Sequence, residues 1–351
     1  MVKCVAHWGR EMSSETTNSG GSSINFGSLI RRPEAGTLLG TIVVYIFFAS
    51  MGGEVFVGAP GWSSFLNMAA EVGIIALPVG LLMIAGELDL SVGSVLPAAS
   101  LTTALISGHY DLPTWMGILG GLSVGLLVGL VNGLLVTRTT IPSLIITIGT
   151  MFGVMGLTLG FTVLIAGSTG VFMTPDPLAK SLLGQFIGGM FQVTMFWWFG
   201  FAAVIYFFLH MSPWGNWVFA IGGDRESARN AGIPTNKLTI GLYMLSGFGA
   251  AFVGVSQVLT FQSAQVAAGQ AFIFNSIMCV VIGGVLMTGG AGSVIGIVFG
   301  TLTFAIVNQG IFFSGLDPNY GSIIIGALLL IAVMSNDTFR KLALTYATKK
   351  K

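Results

Sequence analysis

Apolar stretches of about 20 residues recur along almost the whole chain, with short polar segments between them. A stretch of that length forms a helix across the hydrocarbon core of a bilayer, because lipid offers no hydrogen-bonding partner to an exposed backbone. Charged residues make up only 8% of the chain and hydrophobic residues 54%, which excludes a soluble globular protein. The sequence therefore predicts an all-α polytopic membrane protein.

We predict ten transmembrane helices from these stretches. The connections after the second and the eighth helix are only a few residues long, so eight helices with a re-entrant pair are the alternative. The predicted helices cover roughly residues 37–53, 66–86, 92–107, 114–137, 141–165, 193–211, 239–261, 272–289, 293–311 and 320–335.

The basic residues predict the orientation of these helices. If the amino terminus is inside, every lysine and arginine except Lys180 falls in a cytoplasmic segment, which matches the excess of positive charge in cytoplasmic loops. Both termini are then expected in the cytoplasm. Three regions follow: a flexible polar tail (residues 1–33), a transmembrane domain (residues 34–340) that contains a cytoplasmic loop (residues 212–238), and a basic tail (residues 341–351).

The two halves of the chain resemble each other weakly. Each contains a GxxxG sequence followed by an asparagine, although the spacing to the asparagine differs. Internal repeats are common in transport folds, where the path lies between the repeated halves. The related positions are Gly125, Gly129 and Asn132 in the first half, and Gly296, Gly300 and Asn308 in the second.

Residues 214–237 concentrate charge in a chain that has little of it. The sequence DRESARNAG predicts a short helix, in which Asp224 is the N-cap and Gly232 follows the carboxyl end. Arg225 and Arg229 lie four residues apart and share a face. Such a helix is either a solvated loop or a docking surface for a cytoplasmic partner. The length and regularity of the connection favour the docking surface.

The sequence GELDLSVGS (residues 86–94) places Glu87 and Asp89 between two apolar runs. One interpretation is a cytoplasmic turn, in which Asp89 or Ser91 caps the next helix. The other is a structural or gating element near the translocation path, partly within the membrane, where irregular backbone must face protein or water. The second interpretation is favoured.

Other polar groups lie on apolar helices. Glu71 is predicted near the outer end of the second helix, where it caps or snorkels, or else faces the path. For the uncharged groups, hydrogen bonding between helices is the alternative to a role in transport. The candidates for the path or its gate are Glu71, Glu87, Asp89, Ser91, Asn132, Asn275 and Asn308.

No catalytic residue and no metal site are predicted. The three histidines lie in the tail, an outer turn and the end of a helix, away from any serine nucleophile. Cys4 and Cys279 are too far apart in the sequence to indicate a disulfide framework or a metal site. The phosphate-binding sequence GxxxxGK[ST] is absent, so this chain is not expected to hydrolyse ATP.

Five segments together resemble the membrane permease subunit of bacterial ABC importers for monosaccharides, the ribose, xylose, arabinose and galactose group. They cover the chain from about residue 37 to residue 340 in the expected order. The segments are GELDLSVGS (86–94), IPSLIITIGT (141–150), WVFAIGGDRESARNAGI (217–233), GGAGSVIGIVFG (289–300) and VNQGIFFSGL (307–316).

The resemblance implies a multi-pass permease of the bacterial inner membrane that moves a monosaccharide or related polyol. It implies three partners and no nucleic acid: a second permease subunit in a homodimer or heterodimer, a cytoplasmic ABC ATPase and a periplasmic sugar-binding protein. ATP and Mg²⁺ would bind to the ATPase, and this chain would bind no cofactor.

The resemblance also implies that residues 212–238 couple the ATPase to the transmembrane helices. We expect Gly223 to permit a close approach or an unusual backbone angle, and Ala228 to lie against the partner. The charged side chains of the short helix are expected to be exposed. The predicted coupling residues are Gly222, Gly223, Asp224, Arg225, Ala228, Arg229 and Gly232.

Two other classes of function remain open on the sequence. A self-sufficient carrier driven by protons would use Glu71, Glu87 or Asp89 as its proton site. A scaffold protein without transport is the third class. A carrier needs no ATPase, so dependence of uptake on a partner separates it from the ABC permease.

Overall fold

The computed structural model describes residues 33–315 together with residues 317, 320, 321, 323, 324, 326 and 327. This part of the chain is mostly helical, with two small sheets of two strands each. Both predicted tails and most of the predicted tenth helix lie outside the described residues.

Twelve α-helices, one short π-helix and four strands follow one another in residues 33–315. In chain order they are α1 (Pro33–Val57), α2 (Ala59–Ile84), α3 (Val92–Ala104), the π-helix (Leu105–His109), α4 (Thr114–Arg138), α5 (Ser143–Ala166), β1 (Gly170–Phe172), α6 (Pro177–Leu183), β2 (Phe186–Ile187), β3 (Phe191–Gln192), α7 (Thr194–Met211), α8 (Pro213–Gly223), α9 (Arg225–Asn230), α10 (Thr235–Phe261), β4 (Ser263–Gln265), α11 (Gln270–Ile282) and α12 (Val294–Phe313).

Seven of the helices in the described ranges are long and apolar enough to cross a membrane: α1, α2, α4, α5, α7, α10 and α12. Each coincides with a predicted transmembrane helix. Two other predicted helices correspond to elements outside these seven. α3 has 13 residues and continues directly into the π-helix, which ends at His109, and α11 has 13 residues. The predicted helix at residues 272–289 ends too late, since α11 stops at Ile282 and positive φ angles at Gly284, Gly289 and Gly290 turn the chain.

The helices α2 and α10 form the centre of the bundle and are mostly buried, whereas α1 and α5 are mostly exposed. Glycine lets α4 and α10 approach closely. A Cβ atom on Gly125 would lie 2.3 Å from the carbonyl oxygen of Gly247, and one on Gly129 would lie 2.3 Å from that of Tyr243. Small residues at a helix contact are the usual solution in lipid, which provides no hydrophobic drive for helix association.

Another glycine of α2 accommodates the indole of a fully buried tryptophan. Trp198 on α7 has no exposed surface, and a Cβ atom on Gly73 would lie 2.1 Å from its Nε1 atom. The close packing of α2 and α7 therefore depends on a missing side chain on one helix and a large one on the other.

The long connection between α5 and α7 is ordered and attached to the bundle. β1 pairs antiparallel with β4, which follows α10, and Met173 donates to the carbonyl oxygen of Gln262 at 3.1 Å. Asp176 Oδ2 accepts from the backbone N–H of Thr114 at 3.2 Å, at the start of α4. This connection therefore lies where α10 ends and α4 begins, at one end of the bundle.

Candidate functional site

Three turns meet at the other end of the bundle. They are the α2–α3 turn (residues 85–91), the end of α8 (residues 222–224) and the α11–α12 turn (residues 283–293). The backbone N–H of Gly290 donates to the carbonyl oxygen of Ile84 at 2.8 Å, which joins the third turn to the end of α2. We call this assembly the three-turn junction.

Gly222 is the closest contact in the three-turn junction. A Cβ atom there would lie 1.8 Å from the carbonyl oxygen of Ile84 and 2.5 Å from the backbone nitrogen of Gly290. A Cβ atom on Gly223 would meet nothing within 4 Å, and the φ angle of Gly223 is not positive. The unusual backbone angle expected at Gly223 is therefore absent, and within this chain the close contact is made by its neighbour Gly222.

The short helix α9 has the two ends that the sequence predicts. Asp224 Oδ1 accepts from the backbone N–H groups of Glu226 and Ser227, both at 2.9 Å, so its role as N-cap is confirmed. The hydrogen bond from the Ser227 backbone is the main reason that the pKa of Asp224 lies below its ordinary value, and the cap is ionised at neutral pH.

The carboxyl end of α9 is closed by glycine. Gly232 has a φ angle of 86° and donates to the carbonyl oxygen of Arg229 at 3.0 Å, and Ile233 donates to that of Ala228 at 3.1 Å. These two bonds form a Schellman motif. The helix therefore has hydrogen-bonded ends although it is only six residues long.

Arg225 does not extend freely into solvent, contrary to the expectation. Its guanidinium forms an ion pair with Glu87 of the α2–α3 turn, and the two side chains are 36% and 11% exposed. A second nitrogen of Arg225 lies 3.4 Å from the hydroxyl of Thr239 on α10. Glu226 and Arg229 are exposed, as expected.

Ala228 also departs from the expectation, because it is only 4% exposed and belongs to the core of this chain. It is not available to a partner in this conformation. The exposed surface of α9 is formed by its other residues, including Glu226, Ser227, Arg229 and Asn230.

The carboxylate of Asp89 is buried and accepts three hydrogen bonds. Oδ1 accepts from the backbone N–H of Ser91 at 2.9 Å and from the Ser91 hydroxyl at 2.6 Å. Oδ2 accepts from the hydroxyl of Ser246 on α10 at 2.8 Å. Asp89 is 1% exposed, so these donors replace the water that it has lost.

Asn132 on α4 contacts the same group, and we call Asp89, Ser91, Asn132 and Ser246 the Asp89 cluster. Its Nδ2 donates to the Ser91 hydroxyl at 2.8 Å, and its Oδ1 is buried without a hydrogen-bond partner among the described residues. Ser91 stands at the start of α3 but makes no capping bond with its side chain, since its hydroxyl donates to Asp89 instead. Ser91 therefore occupies the N-cap position of α3, one of the two capping residues that the turn interpretation allowed, without capping the helix through its side chain.

The other path candidates lie apart from the three-turn junction. Glu71 is near the middle of α2, because that helix begins seven residues before the predicted start, and its Oε2 accepts from Gln257 on α10 at 2.8 Å. The expectation that Glu71 lies near a helix end was wrong. Asn308 on α12 accepts from the adjacent Gln309 at 3.4 Å, and Asn275 on α11 is half-buried.

Sequence reasoning did not find the residues that hold the junction together. Thr239, Tyr243 and Ser246 of α10 all contact the α2–α3 turn or Arg225, yet each is one polar residue in an apolar helix. Nothing in a single helix indicates which distant turn it meets. The visible signals are the glycine pairs Gly222–Gly223, Gly283–Gly284 and Gly289–Gly290, since two adjacent glycines indicate a turn.

Comparisons with known proteins agree over most of the chain. The family model described as branched-chain amino acid transport system / permease component matches residues 61–333. The fructose import permease protein FrcC of Rhizobium meliloti is 30% identical over 318 residues, which are 89% of this chain and 87% of that protein. The ribose import permease protein RbsC of Bacillus subtilis (strain 168) is 29% identical over 92% of this chain and 98% of its own.

A third relative has a different printed substrate. The autoinducer 2 import system permease protein LsrD of Photorhabdus temperata is 30% identical over 75% of this chain and 79% of its own. No solved structure gives a significant match.

Proposed function

The chain belongs to the family described as branched-chain amino acid transport system / permease component, and we propose from this membership that it is the permease subunit of an ATP-driven ABC importer for a monosaccharide or related polyol. The observation that carries the proposal is the family match over residues 61–333. The sugar class is supported by the fructose and ribose permeases among its relatives. The chain is then a transport subunit and not an enzyme.

The proposed complex has three further components. A cytoplasmic ABC ATPase binds ATP and Mg²⁺, and a periplasmic binding protein delivers the sugar. A second permease subunit completes the path. Support for the second subunit comes from α5, whose glycines form one face of the helix and would have open space around an added Cβ atom. They are Gly149, Gly153, Gly156 and Gly160.

We further propose that the protein lies in the inner membrane with ten transmembrane helices and both termini in the cytoplasm. The distribution of charge supports this orientation. Arg138, Arg225, Arg229 and Lys237 lie at or near the end of the bundle that carries α9, whereas Lys180 lies in the connection at the opposite end.

Within this complex α9 is the proposed contact with the ATPase. It is a short helix with both ends closed, and it presents Glu226 and Arg229 to solvent. Charges at the rim of an interface orient the partners and speed association more than they add affinity. Glu71, Asn275 and Asn308 remain candidates for the translocation path.

Reconstitution in liposomes tests the function. The chain alone, given a proton gradient and labelled sugars, is expected to take up none. The chain with its ATPase and the binding protein is expected to take up sugar only with ATP. An ATPase whose P-loop lysine is replaced serves as the matched control. Uptake by the chain alone down a proton gradient would contradict the proposal and support the secondary carrier.

A further inference from the structure

The ion pair between Arg225 and Glu87 is the direct side-chain link between α9 and the α2–α3 turn. The Glu87 side chain is 11% exposed and the Arg225 side chain is 36% exposed, so the ion pair is partly buried at the protein surface. Loss of one charge leaves the other partly buried without its counter-ion, which is costly, whereas loss of both leaves no unpaired charge.

Hydrogen bonds also connect the α2–α3 turn to three transmembrane helices. The hydroxyl of Tyr243 on α10 donates to the carbonyl oxygen of Leu88 at 3.0 Å, and the N–H of Leu88 donates to the hydroxyl of Ser143 on α5 at 3.3 Å. Two residues after Glu87, Asp89 binds Ser246 of α10 and, through Ser91, reaches Asn132 of α4. A displacement of this turn therefore changes contacts with α4, α5 and α10 together.

Arg225 lies on the side of α9 that contacts the bundle. Arg225 is the first residue of the helix and follows the cap Asp224, whereas the exposed Arg229 lies one turn later. Arg225 and the buried Ala228 thus attach one face of α9 to the bundle, and the face with Glu226 and Arg229 is left to solvent.

We infer that Arg225 and Glu87 form a strut that makes α9 and the α2–α3 turn move as one body, so that displacement of α9 reaches the Asp89 cluster between the helices. Arg225 is then a positioning residue that acts through Glu87, and it makes no necessary contact with the ATPase. The inference rests on the proposed function, in which α9 meets the ATPase. It also changes the role of Glu87 from a path residue to a mechanical one.

A double-mutant cycle tests the strut. Arg225→Gln, Glu87→Gln and the double variant are compared with Arg138→Gln, which removes an exposed arginine at the end of α4, outside the proposed contact with the ATPase. The readouts are sugar uptake, the ratio of sugar-stimulated to basal ATP hydrolysis, and co-purification of the ATPase. Each single variant at the strut is expected to reduce uptake about tenfold with co-purification unchanged, and the double variant is expected to lose no more than either one.

Independent losses would overturn the strut. If the reductions for Arg225→Gln and Glu87→Gln multiply in the double variant, the two residues act separately. If Arg225→Gln releases the ATPase, the arginine is an interface residue. If uptake with Arg225→Gln is as high as uptake with Arg138→Gln, Arg225 has no role in coupling. Absence of ATP-driven uptake by the unaltered complex is a different result, because it contradicts the proposed function itself.

A covalent link between positions 87 and 225 tests whether joining α9 to the α2–α3 turn is enough for coupling. Glu87→Cys and Arg225→Cys are combined in a chain whose Cys4 and Cys279 are replaced by alanine, and the two thiols are joined with a two-carbon bis-methanethiosulfonate. The unlinked variant is expected to be uncoupled, and the link is expected to restore sugar-stimulated ATP hydrolysis. Continued loss of stimulation after complete linking would show that the pair has to open during transport, and the strut would be wrong.

Discussion

Gly222 is the position where one methyl group would disturb the three-turn junction most. Gly222→Ala places a Cβ atom 1.8 Å from the Ile84 carbonyl oxygen, so the end of α8 has to move away from α2. Overpacking of this kind costs about 1–3 kcal/mol. We expect a lower melting temperature in detergent and reduced uptake. Gly223→Ala is the matched control, because its Cβ atom would have open space. Equal melting temperatures for the two variants would contradict the prediction.

Asp89 carries the second prediction at this scale. Asp89→Asn keeps the size of the side chain but weakens the three hydrogen bonds that the carboxylate accepts. Because Asp89 is buried, water cannot replace these hydrogen bonds. We expect uptake to fall about tenfold, while the amount of protein in the membrane and ATPase co-purification stay near normal. Asp111→Asn is the control, since Asp111 is exposed and has a φ angle of 53°, which asparagine tolerates. Full activity of Asp89→Ala would reduce the motif to an ordinary turn.

Residues such as Arg225 also mark the limit of what the sequence could predict. The cap at Asp224 and the closing glycine at Gly232 are local features, and both were found from a stretch of nine residues. The partner of Arg225 is 138 positions away along the chain, and nothing near either residue indicates the pairing. For the same reason Gly222 and Gly223 look alike in the sequence, although an added Cβ atom would meet the neighbouring backbone only at Gly222.

At the scale of elements, the helices were predictable wherever hydrophobic length alone defines them. The starts of α4, α7 and α12 lie within one residue of the predicted positions, because polar or turn-forming residues precede each helix. Prediction failed at α11, where an apolar sequence continues past the end of the helix. Gly283 and Gly284 end α11 because the chain must turn there to pack against α12, and a hydrophobicity pattern does not contain that requirement.

The glycine face of α5 is the predicted contact between two permease subunits. If a second permease subunit packs there, cysteines at the same position in the two copies will be close in the membrane. We expect Gly156→Cys to give a covalent dimer on mild oxidation of the assembled complex. Val204→Cys on α7 is the control, since Val204 is 69% exposed but has no small-residue face around it. Equal dimer yields from the two variants would contradict packing through α5.

For the whole molecule, the orientation in the membrane is the testable property. Ser181 lies in the ordered connection between α5 and α7, and Ser227 lies on the exposed part of α9, at the opposite end of the bundle. In intact cells whose outer membrane is permeabilised, Ser181→Cys is expected to react with a membrane-impermeant thiol reagent. Ser227→Cys is expected to react only after the inner membrane is opened. The reverse pattern would overturn the orientation.

The close approach of Gly222 to Ile84 and Gly290 also has a consequence for genetics. A methyl group at Gly222 meets backbone atoms, which no second mutation can shorten, so selection for regained uptake in Gly222→Ala cells is expected to yield true revertants to glycine. A methyl group at Gly73 meets the indole of Trp198, which can be replaced by a smaller side chain. Suppressors of Gly73→Ala are therefore expected at codon 198. Sequencing a collection of revertants would distinguish the two glycines, because only Gly73→Ala is expected to yield second-site suppressors.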